Sequence, residues 1–249
     1  MTALQTSSAR LMAMVFYVPR ACLPAKRRRI LAIPIGAALL FGALAHAVRG
    51  GRAEAFADVA DAGLFGLVLP LGTLIIGDAV LGAEVRSGAL PFTWLSPVRL
   101  WEIIVARWLG GWLISLCTLV PACTAAALIA GVPEAMAAIT LAVAAGSAAL
   151  IATFVLIGST TRRAAVWSLG AVLLGERLLG AAIAGVAGVS PSWVARSVYG
   201  SYGPAAEALE RAGIPSGGAA VGRLVVLTTV ALALATWRLG SLRLTGSRD

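Results

Sequence analysis

Long apolar segments, separated by short polar ones, dominate the pattern of this sequence. Six are present: Ile30–Val48, Leu64–Leu81, Ile103–Ala130, Ala135–Gly158, Ala164–Val189 and Val221–Leu239. An α-helix of about 20 apolar residues crosses the ~30 Å hydrocarbon core of a bilayer, and each segment approaches or exceeds that length. The pattern therefore predicts an all-α, polytopic membrane protein with six transmembrane helices.

Polar and amphipathic stretches around these segments define the rest of the organisation. Residues 1–29 are predicted to form a cytoplasmic N-terminus, in which Ser8–Leu23 lies on the membrane as an interfacial helix. Residues 30–239 form the transmembrane domain, and residues 240–249 form a cytoplasmic tail. Residues 190–220 form the longest outer loop. Within it, Pro204–Ala212 is predicted to be a short helix.

The first apolar segment also resembles a signal peptide, because basic residues precede it and Ala43–Ala47 contains an Ala-x-Ala pattern. The basic run Lys26–Arg29 begins about 25 residues into the chain, however, and five more apolar segments follow. We therefore interpret Ile30–Val48 as a retained span.

The composition excludes several classes of protein. Of the 249 residues, 59% are hydrophobic and only 12% are charged, whereas soluble domains carry about 25% charged residues. A soluble enzyme, a disordered protein and a secreted disulfide scaffold do not fit these values. Cys117 and Cys123 would lie ~9 Å apart on one helix, too far for a disulfide.

The net charge of +9 is explained by membrane topology rather than by nucleic-acid binding. With a cytoplasmic N-terminus, only five of the twenty basic residues lie outside and Arg177 lies within a span, which leaves fourteen inside. This distribution follows the positive-inside rule and places both termini in the cytoplasm. Nineteen of these residues are Arg and one is Lys26, a bias typical of a GC-rich bacterial genome. We therefore predict a location in the bacterial cytoplasmic membrane.

Small residues are frequent in the fourth and fifth segments. Ala142, Gly146 and Ala149 would give the fourth helix a face for close packing, and Gly180-x-x-x-Ala184 would do the same in the fifth. Such faces form interfaces between subunits or within a bundle. They also arise simply because Ala and Gly are abundant in this chain.

The sequence lacks several common catalytic motifs. A P-loop needs a lysine that reaches the phosphates, and the only lysine, Lys26, stands in Leu-Pro-Ala-Lys-Arg. There is one histidine, His46, and no HExxH or CxxC pattern. We expect no catalytic centre, metal site or cofactor in this chain.

The stretch between the second and third segments is the most informative one. Ser96-Pro97 is a helix start, so a short cytoplasmic helix from about Glu84 to Leu95 would turn back into the third span. It would expose Phe92 and Trp94 in a loop that is expected to be polar. Exposed apolar side chains there indicate a partner surface or contact with the lipid interface.

This stretch resembles the ABC-2 family of ABC transporter membrane subunits. The family pattern is a glutamate, a Gly-small-Leu, a Ser/Thr-Pro and an arginine, with a further base one turn later. The matching residues are Glu84, Gly88-Ala89-Leu90, Ser96-Pro97, Arg99 and Arg107. Two features depart from the pattern: Pro91 interrupts the usual leucine-rich run, and Arg107 stands where the family has lysine.

The resemblance implies a permease subunit of an ATP-driven exporter for an amphipathic or hydrophobic drug, lipid or peptide. Two ATPase subunits, which would hold ATP and Mg²⁺, and a second permease subunit, identical or homologous, would complete the complex. The outer loop would contain re-entrant helices that cap the translocation path. The segment Glu84–Leu95 would be the coupling helix that docks on the ATPase, through Glu84, Arg86, Gly88, Leu90, Phe92, Trp94 and Leu95.

A second group of charges lies inside the fifth segment. Glu176 and Arg177 are about twelve residues, or ~18 Å, into it. If the span is complete, they would lie near the midplane, on a substrate path or at a subunit contact. If the span ends early, they would lie at the outer interface. Asp78 is interpreted as a boundary residue at the cytoplasmic end of the second span. These three charges also allow an alternative function, a secondary transporter or channel, although the two halves show no convincing repeat.

The topology can be tested with Ser87→Cys in a background from which the three native cysteines have been removed. Because residue 87 is predicted to be cytoplasmic, a membrane-impermeant maleimide added to intact cells should not label it, whereas Ser216→Cys in the outer loop should be labelled. Labelling at residue 87 from outside would overturn the predicted topology.

Overall fold

The structure is a computed structural model that describes residues 12–18, 25–48, 51–82, 99–161, 163–204 and 213–241. The description leaves out the side chains at positions 25–28, 81–82, 176–179, 181 and 184. All regular structure in these ranges is helical, which agrees with the predicted all-α class. The main helices are α1 (12–18), α2 (Ala25–Ala47), α3 (Arg52–Val80), α4 (Leu100–Ala130), α5 (Met136–Thr160), α6 (Ala164–Gly170), α7 (Pro191–Tyr202) and α8 (Gly217–Ser241).

Five helices in the described ranges are long and apolar enough to cross a bilayer, which indicates a multi-pass membrane protein. They are Arg29–Ala47, Arg52–Val80, Leu100–Ala130, Pro133–Thr160 and Gly217–Ser241. These helices correspond to the first, second, third, fourth and sixth predicted segments.

The fifth predicted segment, 164–189, is divided rather than continuous. Helical structure runs without a break from Ala164 to Ala182, and its first part, Ala164–Gly175, is apolar. The chain becomes π-helical over Ala171–Leu179, and two short helices, Gly180–Ala182 and Ala184–Ala187, follow on either side of the non-helical Ile183.

Helix α3 starts twelve residues before the predicted Leu64. Its first turns carry Arg52, Glu54 and Asp58 on an exposed face, and Phe56 and Ala57 on a buried one. This amphipathic lead-in lowers the local hydropathy without interrupting the helix, which is why the apolar pattern placed the start too late. At 29 residues, or ~44 Å, α3 exceeds the hydrocarbon thickness.

Two segments of α3 are π-helical. Helix α3 is α-helical over Arg52–Val59 and Leu69–Gly77, but π-helical over Ala60–Val68 and again over Asp78–Gly82, which continues two residues past the apolar span Arg52–Val80. Asp61 and Asp78 are the acidic residues of these two π-helical segments. Insertions of this kind occur frequently at functional sites.

Helix α4 is a continuous helix of 31 residues that contains Pro121. It begins at Leu100, three residues before the predicted start. It ends at Gly131, whose φ of +80° is the left-handed conformation that commonly terminates helices. Cys117 and Cys123 in this helix are both free thiols.

Helix α5 occupies the centre of the bundle and packs against α3, α4, α7 and α8. The close-packing face predicted from the sequence is used inside the chain: Ala142, Gly146 and Ala149 are buried. A Cβ atom on Gly146 would approach the Cβ of Ala195 in α7 to 2.6 Å. Gly146 therefore sets how closely α5 and α7 approach.

Two tryptophans fix α4 against α5. Trp108 Nε1 donates to the carbonyl of Ala148, and Trp112 Nε1 donates to that of Ala144, both at 2.9 Å. The indole rings are stacked, with centroids 5.7 Å apart and planes 5° apart. A carbonyl oxygen has two lone pairs, so each of these carbonyls can accept the indole bond in addition to its intrahelical one.

Helices α2 and α4 cross closely at Gly42. A Cβ atom there would lie 2.7 Å from the Cα of Ala126, whereas one on Gly36 in the same helix would meet nothing within 4 Å. Because backbone atoms cannot move aside as a flexible side chain can, we expect Gly42→Ala to destabilise the protein by about 1–3 kcal/mol. Gly36→Ala should be close to neutral.

Thermal unfolding in detergent, followed by tryptophan fluorescence, measures this difference. Equal midpoints for the two variants would contradict the observed α2–α4 crossing.

Candidate functional site

The predicted coupling residues lie outside the described residues. This applies to the whole set: Glu84, Arg86, Gly88, Leu90, Phe92, Trp94 and Leu95. The helices on either side of the segment are described, however. Helix α3 leads into it through Val80, and α4 leaves it at Leu100.

Arg107 joins these two ends. Its Nη1 donates to the carbonyl oxygen of Val80 at 3.3 Å. Carbonyls in the last turn of a helix lack intrahelical partners and carry its partial negative charge, so a guanidinium is well suited to this position. The base that matches the family pattern therefore holds the end of α3 against the second turn of α4.

The first turn of α4 places a carboxylate at the same end of the bundle. Glu102 is 6% exposed there, and the amides that begin a helix favour a negative charge. The sequence analysis did not single out Glu102, because it precedes the predicted start of this span at Ile103.

Glu176 and Arg177 lie in the π-helical stretch Ala171–Leu179 that continues α6. Their side chains are among those left undescribed. Helical structure extends beyond them and is interrupted at Ile183. The third π-helical segment in the described ranges thus also carries ionisable residues, as do the two in α3.

The stretch between the fifth and sixth predicted segments contains a helix that the sequence analysis placed differently. The predicted helix, Pro204–Ala212, lies almost entirely outside the described residues, whereas Pro191–Tyr202 is helical. Ser190 precedes it and Pro191 takes the first helical position, where its missing N–H is not needed. At twelve residues, or ~18 Å, α7 is too short to cross a membrane.

Despite its length, α7 is deeply inserted. It packs against α5, α8 and the π-helical part of α3. Val194, Ala195, Val198 and Tyr199 have no exposed surface. Tyr199 therefore packs inside the bundle, whereas Tyr202 is 53% exposed.

An ion pair links α7 to α3. The Nε and Nη2 of Arg196 face the two carboxylate oxygens of Asp61 in a bidentate arrangement. The guanidinium also stacks on Trp193, with its carbon 4.4 Å from the ring centroid. Both charged side chains are 22% exposed, so the pair is largely removed from solvent.

A small cavity lies beside this pair. Its volume is about 30 Å³, and its wall includes Phe65, Pro70, Val172 and Ser192. A cavity of this size admits one or two water molecules. In the described conformation, therefore, the site has no space for a substrate the size of a drug or lipid.

Aromatic rings surround the buried end of α7. The ring of Tyr199 lies edge-on to Phe56 at 6.4 Å and tilted against Phe65 at 5.6 Å. Its hydroxyl is buried and has no hydrogen-bond partner among the described residues. Burial raises the pKa of Tyr199 to about 12, so the phenol remains neutral and does not neutralise Arg196.

Hydrogen bonds attach α7 to the start of α8. Ser197 Oγ donates to the Pro215 carbonyl at 2.7 Å, and the Gly217 amide donates to Ser201 Oγ at 2.7 Å. Helix α7 is thus held by α3 on one side and by the first residues of α8 on the other.

Sequence reasoning missed this charged site for an identifiable reason. Arg196 was counted only as an outer base, and Asp61 precedes the predicted start of the second span. The usable signal was periodicity: Asp61 occupies the same helical stripe as Ala57, Leu64, Phe65 and Val68. A charge on a stripe that is otherwise buried requires a counter-charge.

No protein-family model matches this chain, and no curated protein matches it either. The resemblance described above therefore rests on the residues of the sequence alone.

The ion pair leads to a stability prediction. Removing one partner leaves a buried charge uncompensated, so we expect Arg196→Met to cost about 3 kcal/mol. Replacing both partners, in Asp61→Leu/Arg196→Met, should recover much of this loss because no unpaired charge remains.

The exposed Arg223 in α8 provides a matched control, and Arg223→Met should leave the unfolding midpoint unchanged. Thermal unfolding midpoints of the three variants, measured in detergent, test this prediction. A double variant less stable than Arg196→Met would contradict this account of the pair.

Proposed function

We propose that this protein is the permease subunit of an ABC-2 type exporter in the cytoplasmic membrane of a bacterium. The complex would contain two copies of a separate ATPase, which bind ATP and Mg²⁺, and a second permease, identical or homologous. The substrate would be an amphipathic or hydrophobic drug, lipid or peptide. Both termini would be cytoplasmic, and α1 would lie along the membrane surface.

The observation that carries this proposal is the family pattern at the turn between α3 and α4. The pattern extends from Glu84 to Arg107, and it occupies the connection between the end of α3 and the start of α4. The bond from Arg107 to Val80 supports the assignment, because it fixes both ends of this connection to the bundle. A force applied to the connection would then act directly on two membrane helices.

Six spans are part of the proposal. Helix α6, with the π-helical stretch after it, would supply the fifth span, and Glu176 and Arg177 would contact the substrate path or the second permease. Helix α7 would be a re-entrant element on the outer side. Two observations support this proposal: α7 is too short to cross a membrane, and four of its side chains are fully buried.

A specific observation also favours a second candidate, a secondary transporter or channel. Ionisable residues inside a membrane bundle commonly mark ion or substrate pathways, and Asp61 and Arg196 form a largely buried pair. In that case Asp61, Glu176 and Arg177 would carry the function, and no ATPase would be needed.

The two candidates differ in their dependence on Phe92 and Trp94. Aromatic anchors in a partner groove often cost about 2 kcal/mol or more when truncated, so Phe92→Ala/Trp94→Ala should weaken ATPase binding by at least 30-fold. Glu84→Gln should have a smaller effect, about 0.5 kcal/mol, as expected for an exposed ion pair. The measurement is affinity for the ATPase encoded by a neighbouring gene, together with ATP hydrolysis stimulated by candidate amphipathic substrates in vesicles.

Trp101→Ala provides the matched control. Trp101 is 43% exposed in the first turn of α4, close to the segment but outside the proposed contact, so assembly should be unaffected. Unchanged ATPase binding and coupling in the Phe92/Trp94 double variant would reject these residues as the coupling contact. A wild-type protein that binds no ATPase would reject the permease assignment and leave the secondary transporter.

A further inference from the structure

A groove runs along the bundle between α4, α5 and α8. Its volume is about 640 Å³, and its wall is mainly apolar. The α8 side extends from Leu224 to Thr236, which corresponds to about 18 Å along the helix. All three helices belong to the candidate membrane spans, so the groove lies within the proposed hydrocarbon region.

Every polar side chain in the wall already donates its hydrogen bond to a backbone carbonyl of the bundle. The two indole N–H groups donate to α5 carbonyls, and the three threonine hydroxyls donate to carbonyls one turn earlier in α8, at 2.8–2.9 Å. These side chains are Trp108, Trp112, Thr228, Thr229 and Thr236. The surface presented to an occupant is therefore made of methyl groups, methylene groups and aromatic faces.

This chemistry excludes water and polar ligands as the main occupant. A buried water needs two to four polar partners, and apolar cavities without them stay dry. Charged and peptidic groups would lose their hydration without gaining a donor from the wall. A hydrocarbon occupant incurs neither penalty.

The position and length of the groove favour an acyl chain. The groove is open along one side, and the helices that form it are candidate membrane spans, so bilayer hydrocarbon can enter it directly. One leaflet, half of the ~30 Å core, provides about 15 Å of hydrocarbon, which is close to the length of the groove.

We propose that this groove is the binding site for one acyl chain of a bilayer phospholipid, held between α4, α5 and α8. An empty groove would leave the surrounding side chains without packing contacts on one side, and the acyl chain supplies these contacts. The phospholipid therefore acts as a resident component of the bundle that stabilises the position of α8. The inference does not depend on what the protein transports.

Adjacent positions in α8 offer a matched pair of variants. Thr229 lines the groove, whereas Val230 does not line it and is 50% exposed. Thr229→Phe should fill part of the groove and displace the acyl chain, and Val230→Phe should add the same bulk to an outer face.

Native mass spectrometry of the protein purified in a mild detergent counts retained lipids. We expect one phospholipid on the wild type and on Val230→Phe, and at least a tenfold lower occupancy on Thr229→Phe. Equal retention in the two variants, or no retained lipid on the wild type, would overturn the proposal. A switch from dimer to monomer in Thr229→Phe, with lipid retention unchanged, would assign the groove to a second copy of the chain.

A second measurement remains informative if Thr229→Phe folds poorly. Wild-type protein stripped of lipid by prolonged detergent exchange should gain several degrees in unfolding midpoint when dioleoylphosphatidylcholine is added back. Val230→Phe should gain the same amount, and Ala233→Phe, which fills the groove one turn later, should gain little. A midpoint that does not respond to the lipid in the wild type would contradict a resident acyl chain.

Discussion

The small side chains of α5 are the constraint on which the rest of the bundle depends. Within a membrane, apolar side chains gain little by leaving lipid for protein, so helices associate through close packing and interhelical hydrogen bonds. Ala142, Gly146 and Ala149 allow neighbouring helices to approach the α5 backbone, and two of its carbonyls become accessible to the indoles of Trp108 and Trp112. Larger residues along α5 would push four helices away from it at once: α3, α4, α7 and α8.

The position of α7 follows from this packing and from one pair of charges. A twelve-residue helix would not normally be stable alone, so tertiary contacts must hold it. Gly146 gives Ala195 room to approach α5, and Arg196 is then positioned to meet Asp61 and Trp193. The π-helical stretch that begins at Ala60 places Asp61 on the side of α3 that faces α7.

The sequence predicted the elements whose signal is local. Long apolar runs gave five helices that match candidate spans, and the Ala and Gly spacing in the fourth segment identified a face that is buried in the chain. The start of α3 was missed because charges on one exposed face lower the average hydropathy of a helix whose other face is buried. Helix α7 was missed because its stability comes from Asp61 and Gly146, which are distant in sequence. The coupling segment stays a prediction from the sequence pattern, because the structure describes only the residues that flank it.

Helix α4 is the first link between the predicted coupling segment and the Asp61–Arg196 pair. Arg107, near the start of α4, holds Val80, and the next residue, Trp108, begins the hydrogen-bonded contact with α5. Helix α5 in turn meets α7 at Gly146 and Ala195, one residue from Arg196. Under the proposed function, a displacement of the α3–α4 connection would pass through this series of packed backbones to the Asp61–Arg196 pair, without requiring any intervening helix to deform. Energetic coupling between the two sites would have to be carried at three junctions, Arg107, Trp108 and Gly146.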